Sequence, residues 1–291
     1  MRKYKITNKF MFLCNLLVSL LAVSALATDW PLWNNRTPKP QTIFGEPIYE
    51  RHDPKHNIVR RYRAFTVYYD DTVLSPLWTA IKMTHGVADR NNTIKRPSRF
   101  KIDPLLKKKK YKVAKHEDYN NLRGRRTWNR GHMVQFDDAR GYGVTAAKDS
   151  FYTSNICPQL NEFNQRGWLT LEETCTEFAR DYEVVWIYTG PIYGQDKKPF
   201  LDDRKIPNPI AFYKIIVKPG ESDQVDVLAF RMPHKPIQRD VDVSKYLVSI
   251  DDIEAETDLD FLHELEDNIE NKIESEVSKK IWPDLPNDLI N

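Results

Sequence analysis

Apolar and polar positions along the 291-residue chain follow two rhythms. Alternating β-branched and aromatic residues predict strands at Tyr62–Tyr69 and around Leu77–Ile81. Phe151–Thr153 reads as a further strand, which Pro158 then breaks. From Asn161 to Arg180 the spacing turns helical, with Phe163, Trp168, Leu171, Cys175 and Phe178 as inward positions. Val184–Thr189 is a buried strand ended by Gly190-Pro191, and strands at Ala211–Val217 and Val225–Phe230 flank a Pro-Gly-Glu-Ser turn. Helical text resumes from Asp258 to Lys280, followed by a loose end. Residues 28–60, rich in Pro, Asn and charge, read as an extended N-terminal arm, and the polar stretch 86–127 as a long surface excursion. Strands and helices mix without a βαβ rhythm, which predicts one α+β domain.

The first 27 residues change the picture of where the chain works. Arg2, Lys3, Lys5 and Lys9 precede an apolar run from Phe10 to Ser24, and Ala25-Leu26-Ala27 offers a cleavage site. Asn15 interrupts the run, which is short for a bilayer core of roughly 30 Å. The reading is a signal peptide at 1–27 cleaved after Ala27, leaving a secreted or periplasmic protein without membrane contact. An uncleaved anchor is the alternative.

Charge matters through its distribution. The chain has 44 Lys and Arg against 41 Asp and Glu; without the four leader cations the balance is 40 against 41. Residues 236–291 hold 16 acids and 5 bases, a net of −11, whereas 28–235 hold 35 bases and 25 acids, a net of +10. A basic body suits a polyanionic substrate, although a solvated basic surface has the same composition. Lys107, Lys108, Lys109 and Lys110 are the expected phosphate contacts outside the catalytic centre, with a solvated lysine run as the alternative. Outside the leader, Cys157 and Cys175 are either one disulfide or two thiols, and their spacing leaves both open.

Two constellations could carry chemistry. In Asn129-Arg130-Gly131-His132 the imidazole suits proton transfer near neutral pH. Arg130, two residues before it, would lie on the same side of a strand and could grip a phosphate. Alone, such a motif is more often structural. The second is Ser154-Asn155, Pro158-Gln159, Asn164 and Glu172. Asn164 offers an amide oxygen of the kind Mg²⁺ accepts. If both are helical, Glu172 is displaced by about 12 Å of rise and roughly 80° of rotation. That geometry favours a role through metal-bound water. A capping Asn and a solvated Glu would look the same.

Taken together, these motifs resemble the sugar-nonspecific DNA/RNA endonucleases of the ββα-metal superfamily, the relatives of endonuclease G. That family's signature is Asp-Arg-Gly-His, a Phe-Tyr-x-Ser-Asn strand end, a Pro-Gln, and an Asn followed by Trp and Leu-Glu on one helix. Here it reads Asn129-Arg130-Gly131-His132, Phe151-Tyr152-Thr153-Ser154-Asn155, Pro158-Gln159, Asn164, Trp168 and Leu171-Glu172. The similarity extends to Val185–Pro191, Ile206-Pro207, Ala211–Lys214 and Val248–Leu262, covering roughly residues 45 to 265.

The resemblance implies a central mixed or antiparallel sheet with a ββα-metal catalytic core in residues 61–267, which leaves the C-terminal helix and loose end read from the pattern at 268–291. It implies metal-dependent hydrolysis of DNA and RNA without strong sequence specificity. His132 would be the general base and Asn164 the ligand of one hydrated Mg²⁺, with Mn²⁺ as a substitute. Arg130 would clamp the phosphate, and Asn155 and Glu172 would position the histidine loop and the metal waters. A basic residue before Phe100 and Asp103 matches Arg99, with Arg96 as the alternative. Asn129 departs from the family's aspartate, which puts the pH optimum or the strength of the site in question. Two rivals stand beside this reading. One is a phosphodiesterase on nucleotides or small esters, and the other a nucleic-acid-binding protein with weakened catalysis.

Overall fold

Apolar residues cover both faces of the central sheet, which is why its strands read as nearly unbroken apolar runs. The computed structural model describes residues 41–90, 93–120, 127–200, 205–220 and 225–283. The leader at 1–27, the first part of the arm and Glu221-Ser222 of the expected turn lie outside the described residues.

A short strand β1 (Ile48–Tyr49) precedes β2 (Asn57–Arg61), β3 (Phe65–Asp70) and β4 (Ser75–Thr84). Next come α1 (His85–Ala88), α2 (Pro104–Lys108), β5 (Trp128–His132), α3 (Phe136–Gly141), α4 (Val144–Asp149) and β6 (Ile156–Leu160). A π-helical turn (Phe163–Gly167) leads into α5 (Trp168–Asp181). The chain then forms β7 (Val184–Tyr193), β8 (Pro209–Pro219), β9 (Val225–Pro233), β10 (Leu247–Val248), α6 (Ile250–Thr257), β11 (Leu259–Asp260) and α7 (Asp267–Ser275). Seven strands form an antiparallel sheet in the order β10-β9-β8-β7-β4-β3-β2, while β5–β6 and β1–β11 are separate antiparallel pairs.

The twofold side-chain alternation sorts this sheet into two cores. Phe65, Val67, Tyr69, Ile81, Met83, Val185, Ile187, Phe212 and Ile216 face one side, against Trp168, Leu171, Cys175 and Phe178 of α5. Tyr68, Trp78, Ala80, Trp186, Tyr188, Tyr213, Ile215 and Val217 face the other, against Ile250 and Ile253 of α6 and against Phe261. The α+β single-domain expectation holds. Among the described residues no helix is long and apolar enough to cross a membrane.

Several local expectations fail for identifiable reasons. Phe151–Thr153 is not a strand. Tyr152 makes only an isolated bridge to Lys101, and Thr153–Asn155 is a 3₁₀ turn. The strand starts one residue later and runs through Pro158, which the two-stranded ribbon tolerates because its outer edge needs no donor. Asp258–Lys280 is not one helix. Ser249 opens α6 with a capping box, and Asp258 ends it in the left-handed conformation at φ 54°. The arm reading fails at Asn57–Arg61, which forms an edge strand of the main sheet. The excursion at 86–127 is partly internal, since Asp103, Leu106, Ala114 and Tyr119 are buried. Cys157 and Cys175 are buried free thiols, pushed up to about 12 by burial, so the disulfide option is closed.

Candidate active site

β5, β6 and α5 with its π-helical entry form a ββα unit that gathers most of the expected site residues. Arg130 pairs with Pro158, Gly131 with Cys157 and His132 with Ile156. A Cβ at Gly131 would lie 2.0 Å from Gln159 Oε1, so only glycine lets that side chain cross the strand. Gln159 Oε1 in turn accepts a hydrogen bond from Asn164 Nδ2. Asn164 Oδ1 accepts one at 2.9 Å from Asn129 Nδ2. Three amides thus form a relay that fixes the orientation of Asn164. Asn129 can donate in this relay; an ionised aspartate could only accept.

His132 is 6% exposed, and its Nε2 has no hydrogen-bond partner among the described residues. The rings of Phe100 and Phe151 wall it at centroid distances of 5.2 and 5.0 Å. Burial first, and then the charge of Arg96, push its pKa down to about 3. The ring is therefore neutral at physiological pH. Asn155 pins the chain just beyond it. Its Oδ1 accepts from Val134 N at 3.0 Å, its Nδ2 donates to Val134 O at 2.9 Å, and its carbonyl accepts from Met133 N at 2.9 Å.

Arg130 is half-buried on the same strand, with its guanidinium 5.9 Å from the Phe100 ring. Its Nε and Nη2 donate to His116 O at 3.2 and 3.1 Å, and Nη2 also to Asn120 Oδ1. Arg99 is held in an exposed ion pair with Glu117, near Arg130 and His116. Arg96 is instead the arginine against the site, 5.3 Å from the rings of both Phe136 and Phe151. Lys107 to Lys110 are exposed around the end of α2. The start of α2, Pro104 and Leu105, borders a groove lined also by Arg60, Arg61, Arg63 and Tyr152.

Glu172 is buried in α5, not solvated, and burial pushes its carboxyl up to about 8 against the opposing charge of Lys214. Lys214 is itself buried, donates from Nζ to Thr189 Oγ1 at 2.9 Å and sits 5.0 Å from the Trp168 ring. Asp138 shares this pocket of charge and is raised to about 6 by burial. The π-helical turn replaces the regular helix assumed between Asn164 and Glu172, so the 80° rotation does not apply. The diversion has a cause: Gly167 N donates to Ile237 O at 3.3 Å, and a Cβ there would meet Ile237 at 2.3 Å.

Sequence reasoning gave no role to Gln159, Lys214 or Asp138. Lys214 did leave a signal, as a cation in the middle of an apolar strand, in alternation with Phe212 and Ile216. The donor chemistry fits a hydrated hard cation. Asn164 Oδ1 is a carbonyl oxygen with two lone pairs, of which Asn129 engages one.

Residues 46–268 match the model of the DNA/RNA non-specific endonucleases. The mitochondrial nuclease of Saccharomyces cerevisiae is 30% identical over 247 residues, which span 78% of this chain and 72% of that protein. The mitochondrial nuclease EXOG of Danio rerio is also 30% identical, over 71% of this chain and 61% of its own length. Human mitochondrial endonuclease G is 26% identical, over 68% of this chain and 67% of its own. A crystal structure of an EndoG/EndoGI complex overlays with a TM-score of 0.65 at 23% identity, covering 81% of this chain and 96% of that one, a likeness of fold. These relatives are named as mitochondrial, which overturns the expectation of a secreted or periplasmic protein. An apolar run behind four cations did not distinguish the two destinations. With the family model spanning most of the chain, the protein belongs to the DNA/RNA non-specific endonuclease family and is a nuclease.

Proposed function

We propose that this nuclease hydrolyses phosphodiester bonds in DNA and RNA with His132 as general base and a divalent cation held by Asn164. The observation that carries the reading is the pairing, within one ββα unit, of a neutral buried imidazole with an amide oxygen fixed by a relay. His132 Nε2 takes the proton of the attacking water, with Asn155 holding its loop in place. Arg130 and Arg96 set positive charge beside the ring, where the scissile phosphate would sit. When bound, Mg²⁺ supplies charge stabilisation to the phosphate and the leaving 3′ oxygen. Glu172 and Lys214 support the helix that carries Asn164 from within. Residues 1–27, with four cations and no acid, and the names of the relatives support mitochondrial import over export.

The test is cleavage of plasmid, RNA and a small diester by the purified protein, in Mg²⁺ and in EDTA. Cleavage of both polymers in Mg²⁺ alone is expected, and cleavage of only the small diester would make it a phosphodiesterase. Asn164→Ala should abolish the Mg²⁺-dependent reaction while leaving DNA binding measurable. Unchanged metal dependence in that variant places the ligand elsewhere.

A further inference from the structure

On the other face of the main sheet α7 packs on α6, and three acids converge at the contact. Carboxylate oxygens of Asp251 and Glu254 on α6 and Glu274 on α7 all lie within 4.8 Å of one another. Glu274 is only 6% exposed, yet its Oε1 is buried with no hydrogen-bond partner among the described residues. An unmade bond to a buried carboxylate is costly, so the orphaned oxygen calls for a partner. Among the described residues no Lys or Arg supplies one. Other acids of the region are paired, Glu256 with Arg231 and Asp258 with Arg51, whereas among the described residues no ion pair reaches Asp251, Glu254 or Glu274.

We infer that Asp251, Glu254 and Glu274 bind a hard divalent cation, of the calcium class, that clamps α7 onto α6. The cluster has the parts such a site needs. Glu254 Oε1 accepts from Phe261 N at 2.7 Å, which orients its carboxylate. Asp251 is exposed and gives the ion a way in. Asp260 and Glu270 add negative potential around the three. An all-oxygen, carboxylate-rich set with ligands on two separate helices suits calcium, whose coordination is flexible. It suits zinc or copper less, because no imidazole or thiolate belongs to the group. The family match ends at residue 268, so α7 lies almost wholly beyond it, and the cation would tie this last helix to the shared domain.

The test uses the full chain stripped of metal, titrated calorimetrically with CaCl₂ and separately with MgCl₂. Four proteins are compared: wild type, Glu274→Gln, Asp251→Asn and Asn164→Ala. Calcium should bind wild type and Asn164→Ala alike, weaken in Asp251→Asn and be lost in Glu274→Gln. Melting temperature should rise with calcium only where calcium binds. Asp251 is exposed, so its variant keeps the fold and reads the site even if Glu274→Gln unfolds. Equal calcium binding by all four proteins overturns the inference, as does no binding by wild type. A wild type stabilised by acidification in EDTA but not by calcium overturns it as well, because the cluster then holds a shared proton.

Discussion

Two buried glutamates, on opposite faces of one sheet, show how the same residue serves two ends. Glu172 and Glu274 are 7% and 6% exposed, and burial pushes their carboxyls to about 8 and about 9. Around Glu172 the strongest neighbouring charge is the buried Lys214, which pulls the other way. Around Glu274 the leading neighbouring charges are all acids: Glu254, Glu270, Asp251 and Asp260. Burying a carboxylate is costly in either place. On the catalytic face the compensating cation is part of the chain. At the α6–α7 contact it must come from solution. The lesson is that burial alone does not identify a site; the sign of what surrounds the buried group does.

The largest effect that could break this separation is at the base. His132→Ala should lower the rate on plasmid DNA by on the order of 10² to 10⁴, the usual worth of a general base. Calcium-dependent melting should not change, because Asp251, Glu254 and Glu274 lie on helices whose Ile250, Ile253 and Ile273 pack against the core on the other face of the sheet. Loss of both properties together would mean that the two regions are coupled. Stability carries a pH signature as well. The folded pKa of His132, about 3, lies below its ordinary value of 6.5. Its contribution to stability is therefore full above the ordinary value and drains away as pH falls toward the lower one. In His132→Ala that part of the acid sensitivity should disappear from denaturation curves.

Lys214→Met asks whether the catalytic face really is internally compensated. It removes the cation nearest the buried Glu172 and Asp138, so both carboxyls should be pushed higher still and the fold should lose stability. Urea midpoints at pH 7.5 measure it. A midpoint within error of wild type would show that Lys214 is no counter-charge, and the contrast between the two glutamates would collapse.

Much of this face was legible in the sequence, and the reason is local. His132 and Arg130 sit in a short motif whose spacing matches the strand that carries them, and Asn155 and Asn164 in motifs that kept their place although the local structure is a 3₁₀ turn and a π-helical turn. The inward set Phe163, Trp168, Leu171, Cys175 and Phe178 follows a helical period and is buried as expected. What stayed hidden depends on contacts distant in sequence. Lys214 reaches Glu172 only because β8 pairs with β7 beneath α5, and no spacing encodes that. Arg99 and Arg96 were indistinguishable because a loop sets which one lies against the site. The acidic triad joins residues 251, 254 and 274 across β11 and a turn, so composition showed its charge but not its convergence.

A smaller effect sharpens the account of Asn129. Its amide engages one lone pair of Asn164 Oδ1, the oxygen proposed to hold the cation. Asn129→Asp removes that donor and adds negative charge beside the ligand. Mg²⁺ affinity should tighten about tenfold, the scale on which groups behind a ligand act. Calorimetry on the two proteins in parallel reads it, with Glu274→Gln as the background so that the second cation site contributes nothing. Equal affinities would mean that the relay does not govern the metal ligand.

The smallest expected effect concerns the lysines that the basic body presents toward solvent. Lys107 and Lys108 end α2, whose first residues border the groove lined by Arg60, Arg61 and Arg63. That placement favours phosphate contact over a solvated run, since the groove beside the helix is lined by three arginines. Removing one lysine–phosphate interaction should flatten the salt dependence of DNA binding by about one unit of log–log slope. Replacing Lys107 to Lys110 by Gln should therefore raise KM for polymeric DNA and shrink its salt sensitivity, while a small diester is cut as before. Binding is best compared on a His132→Ala background, where no cleavage interferes, by two salt titrations with and without the lysines. Parallel lines would show that the four lysines never reach the substrate. A flatter line for the Gln variant would extend the catalytic face to α2, on the side of the molecule where positive charge is built in.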